Sequence, residues 1–288
     1  MEMSAEHRLI SWLHYLFIGE LSLRRLIRSP FLIPLFSVVG LLVYGYMFTD
    51  RIIFQPPPPS YKDSERIIKV RTVDGANISA IYLPNENSTY TILYSHGNAE
   101  DLGSVRHKLA ELHSMGFAVF GYDYHGYGTS QGQPNENAAY QDVDAAYEYL
   151  TNELHVQPDH IILHGFSLGG AIAADLASRR SVGGLILEST FVSAFRVVTT
   201  VPMPFDQFTT LAKLKNIKCP ILVIHGRADR IVKFWHGQML FDHANEPKQF
   251  LWIENAGHGD ISLVAADQYQ QALKNFISEL QSSSRIAL

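Results

Sequence analysis

The chain has 288 residues, 18% charged and 47% hydrophobic, with a formal net charge of −5. Disorder is excluded, because it needs low hydrophobicity and high net charge. A nucleic-acid partner is not expected either, since 28 acidic residues outweigh 23 basic ones and no basic stripe is present. The single cysteine, Cys219, cannot form an intramolecular disulfide or supply a cysteine-rich zinc site.

Charge is distributed unevenly. Arg8, Arg24, Arg25 and Arg28 fall within residues 1–29, where a short apolar stretch at 9–19, interrupted by His14, suits an interfacial helix better than a span. Residues 29–49 then carry no formal charge. At ~1.5 Å per residue such a run covers roughly 30 Å, the thickness of a bilayer's hydrocarbon core, so residues 30–49 are expected to form a transmembrane helix with the lipid bilayer as partner. Pro30, Pro34, Gly40 and Gly45 would weaken a soluble helix but are tolerated in a spanning one. A cleaved signal peptide fits less well, because the run starts late and no small-x-small site follows it. The arginine bias before the run predicts a cytoplasmic N-terminus, with everything after it on the periplasmic, extracellular or lumenal side. Prolines at 56–59 then predict a stiff tether over residues 50–66.

Residues 67–288 read as one α/β domain. Runs at 67–73 and 77–83 flank Asp74 and Gly75, a hairpin signal, so the sheet is expected to begin antiparallel. Near-continuous apolar runs follow at 91–94, 117–120, 161–163, 185–187, 221–224 and 250–253. Strands buried on both faces look like this, which predicts a mostly parallel, eight-stranded sheet covered by helices. Leu102, Val105, Leu109 and Leu112 share one helical face, as do Ala139, Val143, Ala146 and Leu150. Asn135 and Asp260 are N-cap candidates. Sheets of this kind place their sites at the carboxyl ends of the strands.

The run at 161–163 leads through His164 into Gly165-Phe166-Ser167-Leu168-Gly169-Gly170 and then an alanine-rich helical segment. A G-x-S-x-G turn between strand and helix is a nucleophile elbow: the glycines let the backbone bend sharply and present the serine at the sheet edge. A serine hydroxyl needs a base and an orienting acid, which in chain order should follow later strands. The run at 221–224 ends in His225-Gly226-Arg227-Ala228-Asp229, and the next ends before Gly257-His258-Gly259-Asp260. The expected assignment is therefore Ser167 as nucleophile, His258 as general base and acid, and Asp229 as orienting carboxylate. Asp123 and Glu188 also end strands and are the rival acids. His96, His164 and His225 each sit at a strand end before a tight loop and read as structural. An oxyanion hole needs the backbone N–H after the nucleophile, Leu168, and one from an earlier loop, for which Asn98 is the candidate. The glycine-rich loop at 123–130 lacks the lysine and spacing of a phosphate loop, and no metal-ligand spacing is evident, so no cofactor or metal is expected.

With these residues in place the chain resembles the α/β-hydrolase superfamily, through the HGN loop at His96, the GYG loop after Asp123, GFSLGG, HGRAD and GHGD. More narrowly, FQPPP from Phe54 and HGNAEDLG from His96 resemble a membrane-anchored α/β-hydrolase-domain group related to bud-emergence-type proteins and protein depalmitoylases. The resemblance implies an α/β-hydrolase fold and serine-esterase or thioesterase chemistry. It departs at GHGD, where many relatives carry asparagine in the third position, and in having an apolar run instead of a cysteine-rich lipidated N-terminus. Only residues 189–219 lie where the superfamily usually inserts a cap domain, so a short lid is expected. Phe166, Phe191, Met203 and Phe205, with Phe195 nearby, are candidates to line an acyl groove. The reading is a membrane-anchored serine hydrolase acting on acyl or lipid-like esters or thioesters; the alternative is a catalytically silent scaffold that binds partners at the membrane.

Overall fold

The structure is a computed structural model that describes residues 32–201, 203 and 206–286. Phe205 and the expected interfacial helix at 9–19 lie outside the described residues. The chain forms two compact units, Met1–Thr49 and Asp50–Leu288.

Helix α1 covers Leu32–Ile53 and exposes large apolar side chains, Leu35, Phe36, Leu41 and Met47 among them. Pro34 falls within its first turn, where no N–H is missed. Among the described residues no helix is long and apolar enough to cross a membrane, so the expected span over 30–49 is not borne out. Residues 30 and 31 of the expected span lie outside the described residues, and the last turn of the described helix carries Asp50 and Arg51.

The second unit starts at Asp50, and it includes the segment 50–66 expected to form a stiff tether. Phe54 is 4% exposed, its ring edge-on to Tyr127 at 6.4 Å and to Phe208 at 5.7 Å. The Ser60 N–H donates to Asp101 at 2.7 Å, and the Tyr61 hydroxyl donates to Asp123. The prolines stiffen this segment, but buried rings and hydrogen bonds fasten it along the domain.

The sheet contains β1 (Ile68–Arg71), β2 (Asn77–Leu83), β3 (Thr91–Ser95), β4 (Ala118–Tyr122), β5 (Ile161–Phe166), β6 (Gly184–Glu188), β7 (Ile221–Gly226) and β8 (Lys248–Ile253), in the order β1-β2-β4-β3-β5-β6-β7-β8. It begins antiparallel as expected: β2 runs against both β1 and β4, and every other pairing is parallel. The β1–β2 turn closes through the Thr72 N–H to Ala76 O at 2.9 Å, with Gly75 at φ +91°. Such a φ is costly for a side chain with a Cβ.

Both faces of the sheet are covered, which is why the central strands lack polar alternation. On one face Leu93, Leu163 and Val223 pack with Val143 and Ile172, which belong to α3 (Glu136–Glu148) and α4 (Leu168–Arg179). On the other Ile92, Ile162 and Leu222 pack with Leu109 of α2 (Arg106–Ser114) and Phe276 of the C-terminal helix (Ala266–Ile286). Leu102 and Val105 are buried as expected, but from the turn before α2. Asn135 caps α3 by accepting from the Ala138 N–H at 2.9 Å. Asp260 stands at the N-cap of a four-residue helix, Ile261–Val264, without capping it: its carboxylate accepts from the Gly257 N–H at 2.6 Å instead, bracing the turn that holds His258. The lid region is short; its described residues include 3₁₀ turns at Phe195–Val197 and Leu214–Asn216 and a small helix at Thr210–Lys213.

Candidate active site

Ser167 joins β5 to α4 with φ 52° and ψ −116°, a conformation rarely adopted by a residue with a side chain. The surroundings hold it there. Its N–H donates to Glu188 O on β6 at 2.9 Å, and its carbonyl accepts from the Thr190 hydroxyl at 2.6 Å and from the Gly170 N–H at 3.0 Å. The flanking glycines are needed because backbones touch: a Cβ on Gly165 would lie 2.3 Å from Gly169 O, and one on Gly169 only 1.9 Å from Ser95 O on β3. This close approach of β3, β5 and α4 is the physical content of the G-x-S-x-G spacing.

Two later strand ends bring their side chains to the serine. His258, after β8, places Nε2 3.0 Å from Ser167 Oγ and Nδ1 2.8 Å from Asp229 Oδ2. Asp229, after β7, uses its other oxygen to accept from the N–H groups of Ile231 at 2.8 Å and Val232 at 2.9 Å. Burial works to raise the Asp229 carboxyl. It is outweighed by hydrogen bonds from His225 and His258, the charge of His258 and the Ile231 N–H, which together hold it well below the usual carboxylate range. An ionised Asp229 accepts the proton on Nδ1, leaving the lone pair of Nε2 facing Oγ.

The rival acids are engaged elsewhere. Asp123 accepts from the Leu102 N–H at 2.8 Å and lies 3.3 Å from His96 Nε2, fastening the loops after β3 and β4. Glu188 accepts from His164 Nε2 at 2.8 Å and from the Tyr269 hydroxyl at 2.9 Å. His225 Nε2 lies 2.8 Å from Val232 O and 3.4 Å from Asp229 Oδ2, so it supports the acid loop from behind. None of these three histidines has a hydrogen bond to Ser167 among the described residues.

A cavity of about 200 Å³ opens onto Ser167, with Asn98 and Leu168 in its wall. Neither backbone N–H has an acceptor among the described residues. Of the groove candidates, Phe191 lines this cavity. Phe166 is not among the lining residues: its ring packs 5.1 Å from the His258 ring, and a Cβ on Gly97 would strike it. Met203 is also absent from the walls. Further apolar lining comes from Phe195, Val197 and Val198 of the lid, from Ile231 and Val232 beside the acid, and from Ile52 and Ile53. Ile231 and Val232 lie two and three residues after Asp229, whereas nothing local to Ile52 and Ile53 points to a serine more than 110 residues away. Among the described residues no group of three His, Cys, Asp or Glu side chains is arranged to hold a metal ion.

Residues 86–210 match the family described as serine aminopeptidase, S33. Over 223 residues the chain is 38% identical to α/β hydrolase domain-containing protein 17B of Xenopus tropicalis, covering 76% of this chain and 77% of that protein. The α/β hydrolase domain-containing protein aho-3 of Caenorhabditis elegans is 36% identical over 269 residues, covering 82% and 80%. Among solved structures, an esterase from Pyrococcus furiosus superposes with a TM-score of 0.67 at 19% identity, over 78% of this chain and 99% of that one, which speaks to the fold. The mostly parallel eight-stranded sheet, the strained serine turn and relatives of this similarity along most of both chains lead to one conclusion: the chain belongs to the α/β-hydrolase superfamily.

Proposed function

We propose that the chain is a serine hydrolase that cleaves acyl esters or thioesters through an acyl-enzyme. The observation that carries this reading is the imidazole of His258, within hydrogen-bond distance of both Ser167 Oγ and the Asp229 carboxylate. Oγ attacks the acyl carbonyl carbon while its proton passes to His258 Nε2, and the carbonyl oxygen becomes an oxyanion held by the N–H groups of Asn98 and Leu168. The tetrahedral adduct then collapses: the bond to the alcohol or thiol breaks, and the leaving group takes the proton from His258. Water, deprotonated by the same imidazole, attacks the acyl-enzyme and releases the acid. An apolar wall that includes Phe191, Phe195, Ile231 and Val232 supports an acyl chain as the part of the substrate bound beside the serine.

A fluorophosphonate probe tests this. Wild type is expected to label covalently and Ser167→Ala, equally folded, to remain unlabelled. A folded wild type that does not label would favour the catalytically silent scaffold.

The same reading places the enzyme at a lipid surface, supported by the exposed apolar side chains of α1, including Leu35, Phe36 and Met47. The full chain is expected to co-sediment with phosphatidylcholine vesicles; recovery in the supernatant would overturn this part.

A further inference from the structure

We propose that residues 52–55 complete the active site, and that the side chain of Asn98 is the positioning residue through which this segment holds the oxyanion-binding loop. The inference rests on the serine-hydrolase reading, in which the backbone N–H of Asn98 receives the developing charge.

The Asn98 backbone and side chain face different tasks. Its Nδ2 donates to Ile53 O at 2.6 Å, while its Oδ1 accepts from the Gln55 N–H at 3.0 Å and from the Tyr127 hydroxyl at 2.6 Å. The Gln55 N–H also lies 3.2 Å from the Tyr127 oxygen. The side-chain amide thus bridges the two backbone groups on either side of Phe54, and the buried Phe54 ring lies edge-on to the ring of Tyr127. One short segment therefore does two things. Ile52 and Ile53 form part of the cavity wall at Ser167, and the backbone of Ile53 and Gln55 grips the loop that carries the oxyanion donor.

The loop needs such a grip. Gly97 precedes Asn98, and Ala99 follows with φ 58°, a left-handed conformation unfavourable for alanine. Within the loop, the Gly97 N–H donates to Glu100 Oε2 at 2.7 Å. An N–H contributes to catalysis only if it already points where charge will appear, and a misplacement of about 1 Å costs on the order of 10²-fold in rate. Residues that would read as an exit from a helix are, in this view, a structural part of the catalytic centre.

The test uses the full chain. Asn98→Ala keeps the backbone N–H and removes all three side-chain bonds; it is expected to lower kcat by roughly 10- to 100-fold while KM changes by less than about threefold. Tyr127→Phe removes one hydroxyl, keeps the ring against Phe54, and is expected to lower kcat by about threefold to tenfold. A boronic acid that forms a tetrahedral adduct on the serine should lose affinity in proportion to kcat/KM in both variants, a readout that a merely structural role would not move. If wild type labels with the fluorophosphonate but kcat and boronate affinity survive in Asn98→Ala, the inference fails and the serine-hydrolase reading stands. If Asn98→Ala does not fold, Tyr127→Phe decides alone, and wild-type kcat in it overturns the inference. A folded wild type that never labels overturns both.

Discussion

Replacing Asp229 with asparagine is expected to lower kcat for ester or thioester hydrolysis by about 10⁴-fold, with KM nearly unchanged and the fold intact. The size of the effect follows from which proton sits where. In wild type the carboxylate accepts through Oδ2 from His258 Nδ1 at 2.8 Å, and through Oδ1 from the N–H groups of Ile231 and Val232. Those two backbone donors select the orientation of an asparagine at this position: its carbonyl oxygen must face them, so its NH₂ faces His258. An NH₂ donates, which forces the neutral imidazole to carry its proton on Nε2. That nitrogen then points a hydrogen at Ser167 Oγ and has no lone pair to take the serine's proton. The carboxyl of Asp229 is held well below the usual range, after burial is outweighed by His225, His258 and the backbone, so wild type keeps its orienting charge through mildly acidic pH. Steady-state kinetics of Asp229→Asn beside wild type checks the assignment; more than about one hundredth of the wild-type kcat would remove Asp229 from its role.

The three side chains that meet at this site were readable in advance because each stands at the carboxyl end of a strand in one parallel sheet. Gly165 and Gly169 announce a turn in which backbones touch, and the polar residues after β7 and β8 interrupt runs that are otherwise continuously apolar. What could not be read depends on contacts between distant parts of the chain. Ile52 and Ile53 end a helix just after Asp50 and Arg51 and look like its boundary until Phe54 is seen against Tyr127 and Phe208, 73 and 154 residues further on. Adjacency to the serine in sequence says little about direction across a sharp turn: the ring of Phe166 packs against His258 and Gly97. Asp260 sits at the expected cap position, yet its carboxylate accepts from the Gly257 N–H of the turn before it.

Glu188→Gln is expected to lower the unfolding free energy at pH 7 by roughly 3 kcal/mol while leaving kcat near wild type, which separates this carboxylate from Asp229. Glu188 ends β6, fully enclosed, with His164 Nε2 at 2.8 Å, the Tyr269 hydroxyl at 2.9 Å and Lys108 Nζ at 3.7 Å. Burial alone would push the carboxyl up from its ordinary 4.5. The Lys108 charge and the hydrogen bonds from His164 and Tyr269 outweigh it and bring the value down to about 2. A carboxyl held lower in the folded than in the unfolded state adds stability that is fully present above about pH 4.5 and is lost as pH falls through about 2. Glutamine keeps the shape, but offers Lys108 no charge and turns an NH₂ toward groups that are themselves donors, leaving buried donors unpaired. Urea unfolding of wild type and variant at pH 7 and again near pH 3 reads the effect directly. The gap should be wide at neutral pH and smaller near pH 3, because acid of that strength protonates the carboxyl of the unfolded chain but not yet that of the folded one, so part of the stability that the charge supplies is already lost. A gap equal at both pH values would mean that shape, not charge, is what Glu188 contributes. A variant of unchanged stability with kcat reduced a thousandfold would move the catalytic acid from β7 to β6.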